Sequence, residues 1–224
     1  MTALLSSATK SEIIYPESDG KPMADNTKQF RWIVTIQGGI DALFRDNPDV
    51  FVAGDLLWYP VEGQNKVCQA PDIMVVFGRP KGDRGSYQQW KEDNIPPQVV
   101  FEILSPSNNF PEMLNKFKFY EQHSVEEYYI YDPTKGTFFG FTRTESELKQ
   151  IEEIQGFISP RLGVKFEVVE GELQIYRPDG EKFLNYVELE QQRQLAEQQK
   201  QLAEEKAARL AERLRAMGVN PDEM

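Results

Sequence analysis

Glu102 places a carboxylate within an otherwise apolar run that extends from Pro97 to Leu104 and ends at Ser105-Pro106-Ser107. This pattern predicts a buried strand that carries one acidic side chain. Glu is rarely fully buried without a partner, because an unpaired carboxylate loses several kcal/mol of hydration free energy when it leaves water. The predicted strand therefore requires a nearby cation, which is either a basic side chain or a metal ion.

Two further acidic residues belong to the strands predicted before this run. Asp55 lies in a predicted strand from Val50 to Tyr59, and Asp72 follows Pro71 in a predicted strand from Val67 to Phe77. Each has an ordinary explanation when taken alone. Pro71-Asp72 can mark the entry into a strand, and Asp55 can be an outward-facing polar residue. Their interest comes from their combination with Glu102.

The three predicted strands are expected to form an antiparallel meander. Pairing neighbouring strands outward from their connecting loops places Asp72 opposite about Ile103, next to Glu102, and Asp55 opposite Asp72. A slip of one residue would move these side chains to the other face of the sheet. This pairing gathers the carboxylates at one end of the sheet, where like charges raise the pKa of each carboxyl unless a cation neutralises them.

Lys116 is a candidate for that cation. It lies in a predicted helix that follows the Glu102 strand, with Asn109 as its N-cap. Lys116 precedes Tyr120 by four residues and therefore shares its face of the helix. The ordinary alternative is a solvated helix lysine.

The sequence has one cysteine, Cys68, and one histidine, His123. It therefore allows no intrachain disulfide and no thiolate zinc cage, and any bound metal must be held by oxygen atoms, which favours Mg²⁺, Mn²⁺ or Ca²⁺. No apolar stretch approaches the roughly 18 residues of a membrane span, and the N-terminus is too short and polar for a signal peptide. A cytoplasmic protein is the simplest expectation.

The net charge of −11 argues against a general nucleic-acid-binding protein, because such proteins are usually basic. Residues 186–224 contain eight acidic and six basic residues, which leaves −9 on residues 1–185. The acidity therefore belongs to the predicted globular part of the chain.

Three segments are expected along the chain. Residues 1–24 have the composition of an irregular segment, residues 25–185 alternate between predicted helices and strands, and residues 186–224 contain a long predicted helix. Apolar residues of this last helix recur at 4-3 spacing, which predicts a coiled coil and self-association. A solvated helix docked on its own domain is the alternative.

The order of helix, three-strand meander, helix and strand resembles the PD-(D/E)XK nuclease fold. More closely, the chain resembles a large bacterial family of putative restriction endonucleases that was long known only as a domain of unknown function. The resemblance covers roughly residues 10–185 and rests on the segments 70–78 (APDIMVVFG), 100–108 (VFEILSPSN), 116–120 (KFKFY) and 125–133 (VEEYYIYDP).

The resemblance implies an α+β fold, with extra antiparallel strands and a long C-terminal helix added to a restriction-endonuclease-like core. It also implies Mg²⁺, or Mn²⁺ in its place, held by Asp72, Glu102 and the backbone carbonyl of Ile103. The strand pairing argued above adds Asp55 as a further candidate ligand. The lysine of the superfamily lies two residues after the acid, where this chain has Leu104. Relatives are thought to carry the lysine on the following helix, which implies a catalytic role for Lys116.

The activity implied by the resemblance is metal-dependent hydrolysis of DNA phosphodiester bonds. A loop with four basic residues, Arg79, Lys81, Arg84 and Lys91, could contact the phosphates. The charge of −11 and Leu104 leave a second hypothesis open. In that hypothesis the chain is an inactive nuclease-fold scaffold that assembles through its C-terminal helix.

Overall fold

A six-stranded sheet positions the candidate residues. The computed structural model describes residues 13–20 and 22–217. Its elements, in chain order, are α1 (Thr27–Leu43), β1 (Val50–Gly54), β2 (Trp58–Tyr59), β3 (Ile73–Phe77), β4 (Tyr87–Gln88), β5 (Val99–Ile103), α2 (Phe110–Gln122), β6 (Glu127–Asp132), β7 (Thr137–Thr144), β8 (Glu147–Gln150), β9 (Lys165–Val169), β10 (Glu172–Tyr176) and α3 (Tyr186–Ala216). The sheet has the order β1-β3-β5-β6-β7-β8, while β2 pairs with β4 and β9 with β10.

The sheet is antiparallel except where β5 and β6 run parallel. Helix α2 supplies the crossover between these two strands, as a parallel pair requires. The result is the predicted α+β fold, with a helix, a three-strand meander, a helix and a further strand.

Each face of the sheet is covered by its own apolar core. Ile33 and Ile36 of α1 pack with Phe101 and Ile103 on one face. Tyr120 of α2 packs with Val100 and other residues on the opposite face. Strand β5 is thus buried on both faces, which explains why its sequence is a continuous apolar run rather than an alternating one.

Helix α1 begins at Thr27, directly after its N-cap residue. Asn26 is the N-cap, and its side chain accepts hydrogen bonds from the backbone N–H groups of Lys28 and Gln29. Gly39 lies within this helix because the ring of Phe183 packs against it. A Cβ atom at Gly39 would lie 2.4 Å from a ring carbon of Phe183, whereas a Cβ atom at Gly38 would meet nothing within 4 Å.

The two predicted strands before β5 are shorter than expected. The strand predicted from Val50 to Tyr59 breaks after Gly54, because Asp55 adopts a left-handed backbone conformation with φ of 49°. The strand predicted from Val67 to Phe77 begins only at Ile73. Pro71 lacks the N–H group that a ladder would need just before this point.

The chain divides into two units, Met1–Phe183 and Leu184–Met224. The second contains α3, whose first turn is closed by a capping box between Asn185 and Glu188. Leu195, Leu202 and Leu210 of this helix are 55–60% exposed. Residues 1–12 and 21 of the predicted irregular segment, and residues 218–224 of the predicted tail, lie outside the described residues. In the part of the chain that the structure describes, no helix has both the length and the apolar character needed to cross a membrane.

Candidate functional site

Asp72 and Glu102 lie on the same face of the sheet. The β1–β3 register ends at Gly54 opposite Ile73, so the predicted juxtaposition of Asp55 and Asp72 is confirmed. The predicted β3–β5 register is wrong by one residue. Ile73 lies opposite Phe101. Extending this register by one residue places Asp72 opposite Glu102, not opposite Ile103.

This correction strengthens the site, because directly opposed residues of an antiparallel pair point to the same face. Both carboxylates therefore face α2. The long connection between β3 and β5, residues 78–98, explains the error, since a long loop does not fix the register of the strands it joins.

Lys116 forms an ion pair with Glu102 beneath the surface. Its Nζ atom lies 2.7 Å from Glu102 Oε2, and the two side chains are 14% and 3% exposed. Tyr120, one helical turn further along α2, donates a hydrogen bond from its hydroxyl to Glu102 Oε1 at 2.5 Å. Both oxygens of the buried carboxylate are thus hydrogen-bonded, and each retains capacity for a further partner.

Asp72 is almost as buried as Glu102, and its Oδ2 atom accepts a hydrogen bond from the backbone N–H of Ile103 at 2.6 Å. Burial and the negative charge of Glu102 raise the pKa of Asp72 well above its usual range, although Lys116 and the Ile103 N–H oppose this shift. The two carboxylates share a single cation, so the group of three carries a net negative charge when all three are ionised.

Lys116 remains protonated in this setting. Burial by itself lowers the pKa of Lys116, but the charges of Glu102 and Asp72 and the hydrogen bond to Glu102 outweigh it and raise the pKa overall. Lys116 therefore supplies a positive charge and N–H donors in the metal-free state, rather than a free amine that could remove a proton.

Asp55 is half-buried and lies beside this group. Burial, Asp19 and Glu102 raise the pKa of Asp55, while Lys116 lowers it. Among residues 13–20 and 22–217, no three His, Cys, Asp or Glu side chains are grouped closely enough to hold a metal ion by themselves. Any third protein ligand beside Asp72 and Glu102 would then be a backbone oxygen or an amide or hydroxyl oxygen of a side chain.

The backbone carbonyl of Ile103 has a partner that the sequence did not indicate. Gln29 of α1, only 6% exposed, donates a hydrogen bond from Nε2 to the Ile103 carbonyl oxygen at 2.8 Å. A glutamine in an amphipathic helix carries no functional signal of its own, and 74 residues separate it from its partner. No signal in the sequence alone would therefore identify Gln29 as part of the site.

An open cleft of about 710 Å³ adjoins the site. Asp72, Lys116 and Gln29 line it, and Lys116 is the one basic residue among the described residues of its wall. The acidic residues of the wall are Asp19, Asp25, Asp55, Asp72 and Glu112. Such a surface favours cations and disfavours an unaccompanied phosphate.

Leu104 occupies the position at which the superfamily would have its lysine. Its side chain lines an apolar groove together with Phe117 and Ile130. Lys116 and Phe117 are adjacent on α2, and Lys116 contributes to the acidic cleft rather than to this groove. The helix therefore supplies the cation that β5 lacks.

Three of the four basic residues in the loop before β5 have acidic partners. Glu92 accepts hydrogen bonds from Arg79 at 2.9 Å and from Arg84 at 2.7 Å. Burial alone would raise the pKa of Glu92, but the hydrogen bonds from these two arginines lower it overall. Lys81 pairs with Asp41 at 2.7 Å, and Lys91 is exposed. The two arginine side chains are at most 15% exposed, so they stabilise the loop and present little charge to a ligand.

Comparison with known proteins gives a family match and a structural neighbour. Residues 22–165 match the family model described as "Uma2: Putative restriction endonuclease". A crystal structure of a protein from Anabaena variabilis ATCC 29413, described as a putative nuclease of a domain-of-unknown-function family, aligns with 64% of this chain and 77% of its own. The alignment has 16% sequence identity and a TM-score of 0.47. The search of curated proteins returns no match.

Proposed function

The chain belongs to the Uma2 family of restriction-endonuclease-like proteins, and we propose that it is a metal-dependent nuclease that hydrolyses phosphodiester bonds of DNA. One observation carries the proposal. Two buried carboxylates, Asp72 and Glu102, face the same helix and share one cation, Lys116, beside an open acidic cleft. A purely structural ion pair would not need the second carboxylate.

The residues present fit a divalent cation. The donors would be one oxygen each from Asp72, Glu102 and the Ile103 carbonyl, and such all-oxygen sets suit Mg²⁺ or Mn²⁺. Mg²⁺ is commonly bound by one or two carboxylates and keeps several water molecules, so a third acidic side chain is not required. When bound, the ion would act as a Lewis acid at a phosphate oxygen and lower the pKa of a coordinated water molecule.

The protein's own groups would orient and stabilise the reacting phosphate. Lys116 would donate hydrogen bonds from Nζ to a non-bridging phosphate oxygen and offset the charge that develops there. Tyr120 would hold Glu102 in one orientation through its hydroxyl group. Asp72 would remain fixed through the Ile103 N–H, which keeps both carboxylates aimed at one point.

DNA as the substrate rests on the family and has to be reconciled with a net charge of −11. Because Arg79, Lys81 and Arg84 are paired within the protein, Lys91 is the residue of that loop best placed for a phosphate contact. We therefore expect weak, salt-sensitive binding of DNA that depends on the divalent cation.

The test is nicking of supercoiled plasmid in Mg²⁺ or Mn²⁺ by the wild type, Asp72→Asn, Glu102→Gln and the control Lys118→Met. Lys118 lies on the same helix but is exposed. We expect the two site variants to fall to the level seen in excess chelator and the control to retain wild-type activity. Equal nicking by all four proteins would overturn the site assignment.

A second candidate function, an inactive scaffold, is favoured by the contacts that Glu102 already makes within the protein. Its two oxygens already accept hydrogen bonds from Lys116 and Tyr120. Calorimetric titration with Mn²⁺ separates the two functions. Binding by the wild type that is lost in Asp72→Asn favours the nuclease, whereas no binding by the wild type favours a scaffold that assembles through α3.

A further inference from the structure

Gln29 is a buried amide whose two ends bind different parts of the chain. Its Nε2 group donates to the Ile103 carbonyl oxygen at 2.8 Å, and its Oε1 atom accepts from the backbone N–H of Asp25 at 2.8 Å. The side chain is 6% exposed. Buried polar groups are expected to be hydrogen-bonded, and the acceptor here belongs to the last residue of the central strand β5.

The Ile103 residue is held at both of its backbone polar groups. Its N–H donates to Asp72 Oδ2 at 2.6 Å, and its carbonyl oxygen accepts from Gln29. These two hydrogen bonds, one donated and one accepted, restrict the rotation of the backbone at the end of β5. The bond from the N–H also links this backbone segment directly to one of the two acidic side chains of the site.

The Ile103 carbonyl oxygen has two lone pairs, and Gln29 occupies one of them. The other is the lone pair that a cation held beside Asp72 would use. Gln29 itself lines the acidic cleft together with Asp72 and Lys116. The hydrogen bond from the Gln29 amide restrains the plane of this peptide group, and therefore the direction in which the second lone pair points.

We infer that Gln29 is a positioning residue for the divalent cation, which aims the Ile103 carbonyl into the site without binding the ion itself. This inference rests on the proposed function. Groups that orient a metal ligand through a hydrogen bond typically change metal affinity by about 10-fold to 100-fold when they are removed. A purely structural role would instead change the stability of the fold and leave the affinity for metal unchanged.

The experiment compares Gln29→Met with Gln37→Met in the full chain. Methionine keeps the approximate length of glutamine and removes the donor. Gln37 lies two turns further along the same helix, beside Gly54, and receives the same substitution. The Kd for Mn²⁺ is measured by calorimetry without nucleic acid, and the free energy of unfolding is measured by urea titration in chelator.

We expect Mn²⁺ to bind about 10-fold more weakly to Gln29→Met and with wild-type affinity to Gln37→Met. Wild-type affinity in Gln29→Met would overturn the inference while the proposed function stands. Absence of Mn²⁺ binding by the wild type itself would overturn both.

A second measurement uses the wild type and therefore does not depend on whether a variant folds. In the wild type, the side-chain NH₂ resonances of Gln29 are followed by NMR during titration with diamagnetic Mg²⁺. We expect them to shift in step with the Ile103 amide resonance and to saturate together with it. Gln29 resonances that stay unchanged while Asp72 and Ile103 respond would overturn the inference.

Discussion

Replacing Lys116 with Met is expected to destabilise the metal-free protein by about 3 kcal/mol, because it leaves a buried carboxylate without its cation. The Nζ atom lies 2.7 Å from Glu102 Oε2, and with side chains 14% and 3% exposed the pair is poorly screened by water. The substitution also removes the positive charge that lowers the pKa of Asp72. For a chain of this size, the loss corresponds to a fall in Tm of roughly 6–12 °C.

The assay is urea unfolding in excess chelator, followed by far-UV circular dichroism. Lys118→Met is the matched control, because it removes a lysine from an exposed position on the same helix. We expect the control to change the free energy of unfolding by no more than about 0.5 kcal/mol. The double variant Lys116→Met/Glu102→Gln removes both charges, and we expect it to recover at least about 1 kcal/mol of the loss. If Lys116→Met is as stable as the control, Glu102 does not depend on Lys116 and the pairing argument fails.

Three further predictions concern Asp72, the two glycines of α1 and the C-terminal helix. Burial and Glu102 raise the pKa of Asp72 in the folded state, so its contribution to stability is present below the unfolded pKa and is lost as pH rises through the folded pKa. Asp72→Asn should therefore stabilise the metal-free protein at pH 8 but not at pH 4 in urea unfolding, and equal effects at both pH values would contradict this. Gly38→Ala should stabilise the fold by about 1 kcal/mol, whereas Gly39→Ala should destabilise it through overpacking against Phe183. The urea concentrations at the unfolding midpoints of the two variants should therefore shift in opposite directions from the wild type, and shifts in the same direction would contradict this. We propose that residues 186–217 mediate self-association. Truncation after Phe183 should therefore reduce the number of chains per particle, as measured by light scattering, and an unchanged oligomeric state would refute this.

The elements that carry the site could be predicted from local sequence signals. Asn109 is the N-cap of α2, as its position before Pro111 and Glu112 indicated. The apolar run around Glu102 is a strand buried on both faces. These features depend on residues close together in the chain, where capping and periodicity act directly.

The errors arose where contacts between strands or side chains, rather than local sequence signals, decide the structure. The register between β3 and β5 depends on a long loop and was wrong by one residue. The loop arginines appeared to be a basic surface, but Glu92 lies within the same loop and pairs with Arg79 and Arg84. Sequence shows the charges but not their pairing. Gln29 was missed for the same reason, because its significance comes only from the Ile103 carbonyl that it contacts.

The charge of the site links its stability to its proposed chemistry. Asp72, Glu102 and Lys116 together carry one negative charge in excess when ionised, and burial prevents water from relieving it fully. Burial and the charge of Glu102 raise the pKa of Asp72, so the metal-free fold can reduce this excess by holding a proton on that carboxyl. A divalent cation would relieve the same excess and release the proton. Metal affinity should therefore increase with pH through the folded-state pKa of Asp72, and the stabilisation of the fold by a fixed concentration of the cation should increase with it.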